Sequence, residues 1–188
     1  MQRVRMAMVG GRPGKFICDA HHMAWRLDGL IDLVAGAFSR DAAQNAAAGA
    51  QLGVAPERVY DDWRAMLQAE AARPAAERVE LVASITPNRL HVPVIAAALE
   101  HGFPVISDKP LGYGLAEADD LHRRAAAADV PTAITYTYSA YPMVQAAREL
   151  IAAGELGAVR KAVAEYQQGG VAAGLASGDA DRLERLRT

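Results

Sequence analysis

Residues 80–111 read ELVASITPNRLHVPVIAAALEHGFPVISDKPL. Glu80 to Ile85 is a short apolar run that stops at Thr86-Pro87-Asn88. His91 to His101 reads as a helix closed by Gly102, and Pro104 to Ser107 is a second buried run that stops at Asp108-Lys109-Pro110. A strand, a helix and a strand at such short spacing predict two parallel strands joined by a right-handed crossover.

The same alternation extends in both directions. Upstream, Val4 to Val9 predicts a strand ending at Gly10, Gly11, Pro13 and Gly14, followed by a helix over Phe16 to Asp28. Ile31 to Phe38 is a second apolar run. Ser39-Arg40-Asp41 then opens an alanine-rich helix to Leu52, with Ser39 or Asp41 as its cap. Val59-Tyr60 predicts a minimal third strand and Asp61-Asp62 the cap of a helix toward Ala72. Downstream, a helix over Leu115 to Ala128 leads to a sixth strand at Pro131 to Thr135. A loop from Tyr136 to Pro142, a helix over Met143 to Ala153 and an alternating, half-exposed strand at Val159 to Tyr166 follow. Six alternations of strand and helix give an α/β class with a mainly parallel sheet. Ligands of such sheets sit at the carboxyl ends of the strands, where the unusual residues of this sequence fall.

The chain has 188 residues, enough for one domain and a remainder. Hydrophobic residues make up 52% and charged residues 22%, a globular composition rather than a disordered or collagen-like one. A formal net charge of −2 offers no global attraction to nucleic acid or to an anionic membrane. No stretch approaches the length of a membrane helix, and Met1 to Arg5 starts no secretory signal. The single cysteine, Cys18, fits a reducing compartment, so a cytoplasmic location is expected, and it excludes a cysteine-rich zinc site. No histidine pair has the flanking carboxylates of a metal site.

Three segments could carry chemistry. A glycine turn between a strand and a helix lets backbone N–H groups approach a pyrophosphate at the helix N-terminus. Here the turn is partly kept, and an ordinary strand-to-helix turn is the competing account. At Ser39-Arg40 a hydroxyl and a guanidinium suit a 2'-phosphate, which tilts the choice between NADP and NAD toward NADP. A cap followed by a solvated arginine explains the same residues, and Asp41 could serve NAD. Lys109, placed directly after a buried strand, could orient a substrate, polarise an oxygen or relay a proton; a surface lysine in a proline-terminated turn is the alternative.

Together these segments resemble the N-terminal half of the Gfo/Idh/MocA family, NAD- or NADP-dependent oxidoreductases of sugars and polyols. The resemblance covers roughly residues 4–168. It rests on VGGRPGKFICDAH, AGAFSRD, the T-P-N-x-x-H loop with the acidic-Lys-Pro motif, and YPMVQAARELIAAGELGAVRKAVAEYQQG. It implies a Rossmann-like doubly wound parallel sheet with helices on both faces, plus the stump of a second α/β domain. It implies that Gly10, Gly11, Arg12, Gly14, Phe16 and Ile17 meet the pyrophosphate, and Ser39 and Arg40 the adenosine ribose. Thr86, Pro87, Asn88 and His91 would line the nicotinamide side. Asp108 and Pro110 would hold Lys109, matched to the family's substrate-orienting lysine, and Tyr136, Tyr138 and Tyr141 would contact the sugar or polyol.

The departures bear on function. Arg12 replaces a glycine that admits the phosphates, and Cys18 a glycine that permits close helix packing. The family's second domain, with its D-x-x-x-H general acid/base, has no counterpart after Gln168. The expected organisation is a nucleotide-binding domain over residues 1–140, the start of a shortened second domain over 141–168, and a flexible non-family tail over 169–188. The resemblance therefore implies a truncated oxidoreductase with little or no turnover alone, possible self-association, and no metal. The alternative is a non-catalytic nucleotide-binding or interaction module, or the product of a shortened reading frame.

Overall fold

The computed structural model describes residues 3–167 and 169–178. They fall into two compact units, the first ending at Tyr136 and the second beginning at Thr137. The first unit runs β1 (Val4–Gly10), α1 (Phe16–Leu27), β2 (Ile31–Ala37), α2 (Ala42–Leu52), α3 (Trp63–Ala71), β3 (Leu81–Ile85), α4 (His91–Glu100), β4 (Val105–Ser107), α5 (Leu115–Ala128) and β5 (Thr132–Ile134). All five strands are parallel, in the order β2-β1-β3-β4-β5.

The expected third strand at Val59-Tyr60 shrinks to a single parallel bridge between Val59 and Gly36 of β2. Its flanks explain why one pair suffices. Arg58 Nε donates to Glu70 Oε1 at 3.0 Å and the Tyr60 hydroxyl donates to the same oxygen at 3.0 Å, so a fully buried carboxylate of α3 pins both neighbours of Val59. With that bridge counted, six segments line up in the sheet, the number of alternations in the sequence.

Strand alternation sends Ala7, Val9 and Val82 into one layer with Met66 and Leu67 of α3, Ile95 of α4 and Leu121 of α5. Met6, Met8, Ala83 and Ile85 face the opposite layer with Cys18 of α1 and Ala48 of α2. Val34 is an extra residue in the β1–β2 register, which passes from Met6↔Leu33 to Ala7↔Ala35. That bulge inverts the strand's facing: Ile31 and Leu33 join the second layer, Ala35 and Ala37 the first.

The second unit holds α6 (Pro142–Ala152) and α7 (Gly169–Ser177). The expected strand at Val159 to Tyr166 is not one; these residues are exposed and irregular. An alternating pattern becomes a strand only beside a partner, and the second unit has no strand among the described residues. Residues 169–177, expected as part of a flexible tail, are helical, in keeping with their alanine content. The rest of that tail, residues 179–188, lies outside the described residues. No described helix is long and apolar enough to cross a membrane.

Candidate functional site

The carboxyl ends of β1, β2, β3, β4 and β5 form one edge, and hydrogen bonds tie its loops together. Gly10 and Gly11 leave β1 with φ of 75° and 73°. A Cβ on Gly10 would collide with the Ile85 carbonyl, so the turn's close approach to β3 requires glycine there, while at Gly11 the positive φ favours glycine and an added Cβ would displace the Met8 side chain. The Gly11 N–H donates to the Ile85 carbonyl at 3.1 Å. Gly14 (φ 84°) instead faces open space.

Helix α1 begins without a side-chain cap at Lys15, whereas Asp41 and Asp62 cap α2 and α3 by accepting from Gln44 N and Ala65 N. The glycine turn therefore opens onto uncapped backbone donors, the arrangement that favours an anion. One donor is occupied: Gly14 N–H donates to Asp19 Oδ1 at 3.0 Å. Arg12 is half-exposed, and Phe16, on the first turn of α1, is 90% exposed, next to the partly exposed Ile17. Beneath the turn, His22 Nε2 lies 2.8 Å from the Gly11 carbonyl. Burial pushes the His22 pKa down, which favours the neutral ring donating that bond. Burial, with Asp19 and Asp108 nearby, raises the Cys18 thiol, which stays protonated and packs.

At the end of β2, Asn45 Oδ1 accepts from the N–H of Phe38 (2.8 Å) and of Ser39 (3.3 Å), fixing the turn that presents Arg40 to solvent. Asp41, the alternative partner for a ribose, is engaged as the cap of α2.

Beyond β3 and β4, Asp108 N–H donates to the Ser84 carbonyl at 2.9 Å, and the Asp108 carboxylate gathers three groups. Lys109 N–H and the Thr135 hydroxyl each donate to Oδ1 at 2.9 Å, and His21 Nε2 of α1 stands 3.8 Å away, a charge-pairing distance too long for a hydrogen bond. Burial alone would raise this carboxyl; His21, the Lys109 N–H and the Thr135 hydroxyl outweigh it and bring its pKa down to about 2. Asp108 is thus a carboxylate spent on shaping its own loop, while the Lys109 side chain is exposed. The Lys109–Pro110 peptide is cis.

Tyr136 stands at the end of β5, its hydroxyl accepting from Leu111 N–H at 3.2 Å. Tyr138 and Tyr141 belong to the second unit, where their rings meet edge-on at 5.5 Å and the Tyr138 and Tyr166 hydroxyls lie 2.5 Å apart. Thr86 and Asn88 are partly exposed on the loop after β3 and Pro87 is exposed. His91, expected to line the nicotinamide side, has no exposed surface, and both its ring nitrogens face backbone carbonyls.

Three contributors were not anticipated. His21 lies on α1, and nothing in the spacing links it to Asp108, 87 positions away. Thr135 and Asp19 are ordinary polar residues at element ends. Among the described residues no group of His, Cys, Asp and Glu side chains could hold a metal ion.

Residues 4–136 match the model of a family described as "Oxidoreductase family, NAD-binding Rossmann fold". The chain is 34% identical over 167 residues to the uncharacterized oxidoreductase YfiI of Bacillus subtilis, covering 88% of this chain and 42% of that protein. It is 31% identical over 121 residues to D-xylose 1-dehydrogenase (NADP(+)) 2 of Haloferax volcanii, covering 64% and 34%. Among solved structures, an inositol dehydrogenase homolog of Azotobacter vinelandii complexed with NADH and myo-inositol is 40% identical with a TM-score of 0.78, over 85% of this chain and 41% of that one. The chain therefore spans well under half the length of these relatives.

Proposed function

Because the chain belongs to the Gfo/Idh/MocA oxidoreductase family, with its NAD-binding Rossmann domain, we propose that the carboxyl edge of the first unit holds NADP or NAD in a way that suits hydride transfer with a carbinol carbon of a sugar or polyol. The observation that carries this is the joining of the glycine turn to the Lys109 loop: Gly11 bonds the end of β3, β3 bonds Asp108, and His21 of α1 faces the same carboxylate. One dinucleotide could bridge both.

The residues present fit such a ligand. The glycine turn and the uncapped start of α1 offer backbone donors to a pyrophosphate, and Phe16 and Ile17 offer apolar surface beside it. Ser39 and Arg40 suit the adenosine ribose, the guanidinium favouring a 2'-phosphate. Thr86, Pro87 and Asn88, on the loop after β3, would line the nicotinamide side. When bound, the nicotinamide ring accepts the hydride from the substrate carbon or returns it. Lys109 Nζ would hydrogen-bond the reacting oxygen and orient it, the hydroxyl proton leaving to solvent at this open edge as the hydride departs, while Asp108 fixes the backbone from which that lysine projects and Tyr136 offers an aromatic face.

The exposure of Lys109 and Tyr136 sets the expected activity. Catalysis of this kind depends on a preorganised site that excludes water, and these side chains stand open on the first unit. The 188-residue chain should bind nucleotide and turn over little; inositol or glucose oxidation lost in Lys109→Ala would overturn the second half of that statement. Fluorescence titration tests the cofactor preference. Arg40→Ala should weaken NADPH about tenfold and NADH little, each tenfold being about 1.4 kcal/mol, and equal losses would remove the case for NADP.

A second account, an interaction module without turnover, is favoured by one observation: Phe16, Met23 and Leu27 leave an apolar stripe exposed along α1. Light scattering separates the two, since a clean monomer counts against it.

A further inference from the structure

The one histidine of the T-P-N-x-x-H segment does not look outward. His91 opens α4, is wholly buried, and lies between two loops that both reach the carboxyl edge. Its Nε2 is 2.9 Å from the Thr86 carbonyl at the start of the T-P-N loop. Its Nδ1 is 2.7 Å from the Pro110 carbonyl at the end of the Asp108-Lys109-Pro110 loop. Both partners only accept, so a neutral ring donates to one carbonyl and only a doubly protonated ring donates to both.

We propose that His91 is a positioning residue, a rivet that fixes the T-P-N loop and the Lys109 loop to each other and so sets the spacing of the nicotinamide side of the site, without itself touching cofactor or substrate. The rest of the loop's restraint comes from elsewhere. Its front end is held by Asp108 N–H on the Ser84 carbonyl and by the Thr135 hydroxyl on Asp108, both part of the sheet's own edge. Past Lys109, His91 on Pro110, the Tyr136 hydroxyl on Leu111 and the Glu117 carboxylate on Tyr113 hold the loop, and His91 reaches the T-P-N loop as well, through the Thr86 carbonyl. Removing the ring takes away the group that lies between the Thr86 and Pro110 carbonyls and frees each loop to relax separately. The adenosine side is untouched, because the glycine turn is held by Ile85 and His22, and Arg40 by Asn45 through Ser39.

A structural role alone would weaken every function of the domain in parallel, whereas a rivet at the nicotinamide end weakens one end. The second half of this inference rests on the proposed placement of the nicotinamide; the first does not. The test takes the full chain and its His91→Leu and His91→Gln variants, the latter milder and decisive where His91→Leu fails to fold. Amide hydrogen exchange should speed up at Leu90, Lys109 and Leu111 while β1 and the glycine turn keep their protection. Titrations should show NADH binding weakened about tenfold and ADP-ribose, which lacks the nicotinamide, within about twofold of the parent. Unchanged exchange in those loops would overturn the rivet. Parallel loss of NADH and ADP-ribose, or loss of neither, would overturn its role at the nicotinamide end. A parent chain that binds ADP-ribose no more weakly than NADH would instead overturn the nicotinamide placement.

Discussion

Helices α1 and α4 follow equivalent strands to the same edge of one sheet, yet they are finished very differently. α4 buries His91, Val94, Ile95, Ala98 and Leu99, and its first residue locks two loops. α1 buries Cys18 and His22, and leaves Phe16, Met23 and Leu27 to solvent. A helix packed like α4 serves as frame. A helix packed like α1 has an unspent surface, and it stands where the glycine turn would present an anionic ligand. On the proposed reading, the division of labour across the edge is a closely packed side that would position Lys109 and a lightly held side that would receive phosphate.

The sharpest way to break this contrast is to truncate one side chain on each helix. Ile95→Ala should cost about 3 kcal/mol of unfolding free energy, the usual cost of emptying a buried aliphatic position. Leu27→Ala, at an exposed position, should cost under about 0.5 kcal/mol. Urea unfolding of the two variants checks this, and comparable losses would mean that α1 is as much a part of the core as α4.

Acid should dismantle the two sides in sequence. The His22 pKa is lowered, so the fold prefers the neutral ring while the unfolded chain takes up a proton near pH 6.5. Its contribution is complete above that pH and is lost as pH falls below it, loosening the glycine turn first. Asp108 is held at about 2 against an ordinary 3.8, so its contribution is complete above about pH 4 and is lost as pH falls toward 2. That second loss amounts to about 2 kcal/mol. Unfolding free energies across pH 7.5 to 2 should show both steps, with His22→Gln removing the upper one and Asp108→Asn the lower.

The smallest effect concerns Asp19, whose carboxylate occupies the Gly14 N–H that a phosphate oxygen would use. Asp19→Asn removes a negative charge from the anion side of α1 and should tighten dinucleotide binding several-fold, about 1 kcal/mol. Weaker binding would mean that Asp19 shapes the turn more than it competes with the ligand.

How far the sequence foretold this edge follows from how local each feature is. The parallel sheet was legible because its strands are short apolar runs, β1 and β3 stopped by glycine and proline, and because α2 and α4 are closed by Gly53 and Gly102, with φ of 75° and 72°. The caps Asp41 and Asp62 were legible for the same reason. Features that depend on a distant partner were not. Val159 to Tyr166 alternates as a strand should, but alternation carries no information about whether a neighbouring strand exists. His21 meets Asp108 only because β1 and β4 flank β3, and His91 turned inward because two carbonyls converge there, which no spacing along the chain records.

The central claim is that one nicotinamide dinucleotide spans both sides of this edge. Amide chemical-shift mapping of the chain titrated with NADPH or NADH tests it most directly. The account predicts a single saturable transition in which Gly11, Phe16 and Arg40 on the α1 side shift together with Thr86, Lys109 and Leu111 on the α4 side. Shifts confined to residues away from the strand ends, or none at millimolar nucleotide, would contradict it.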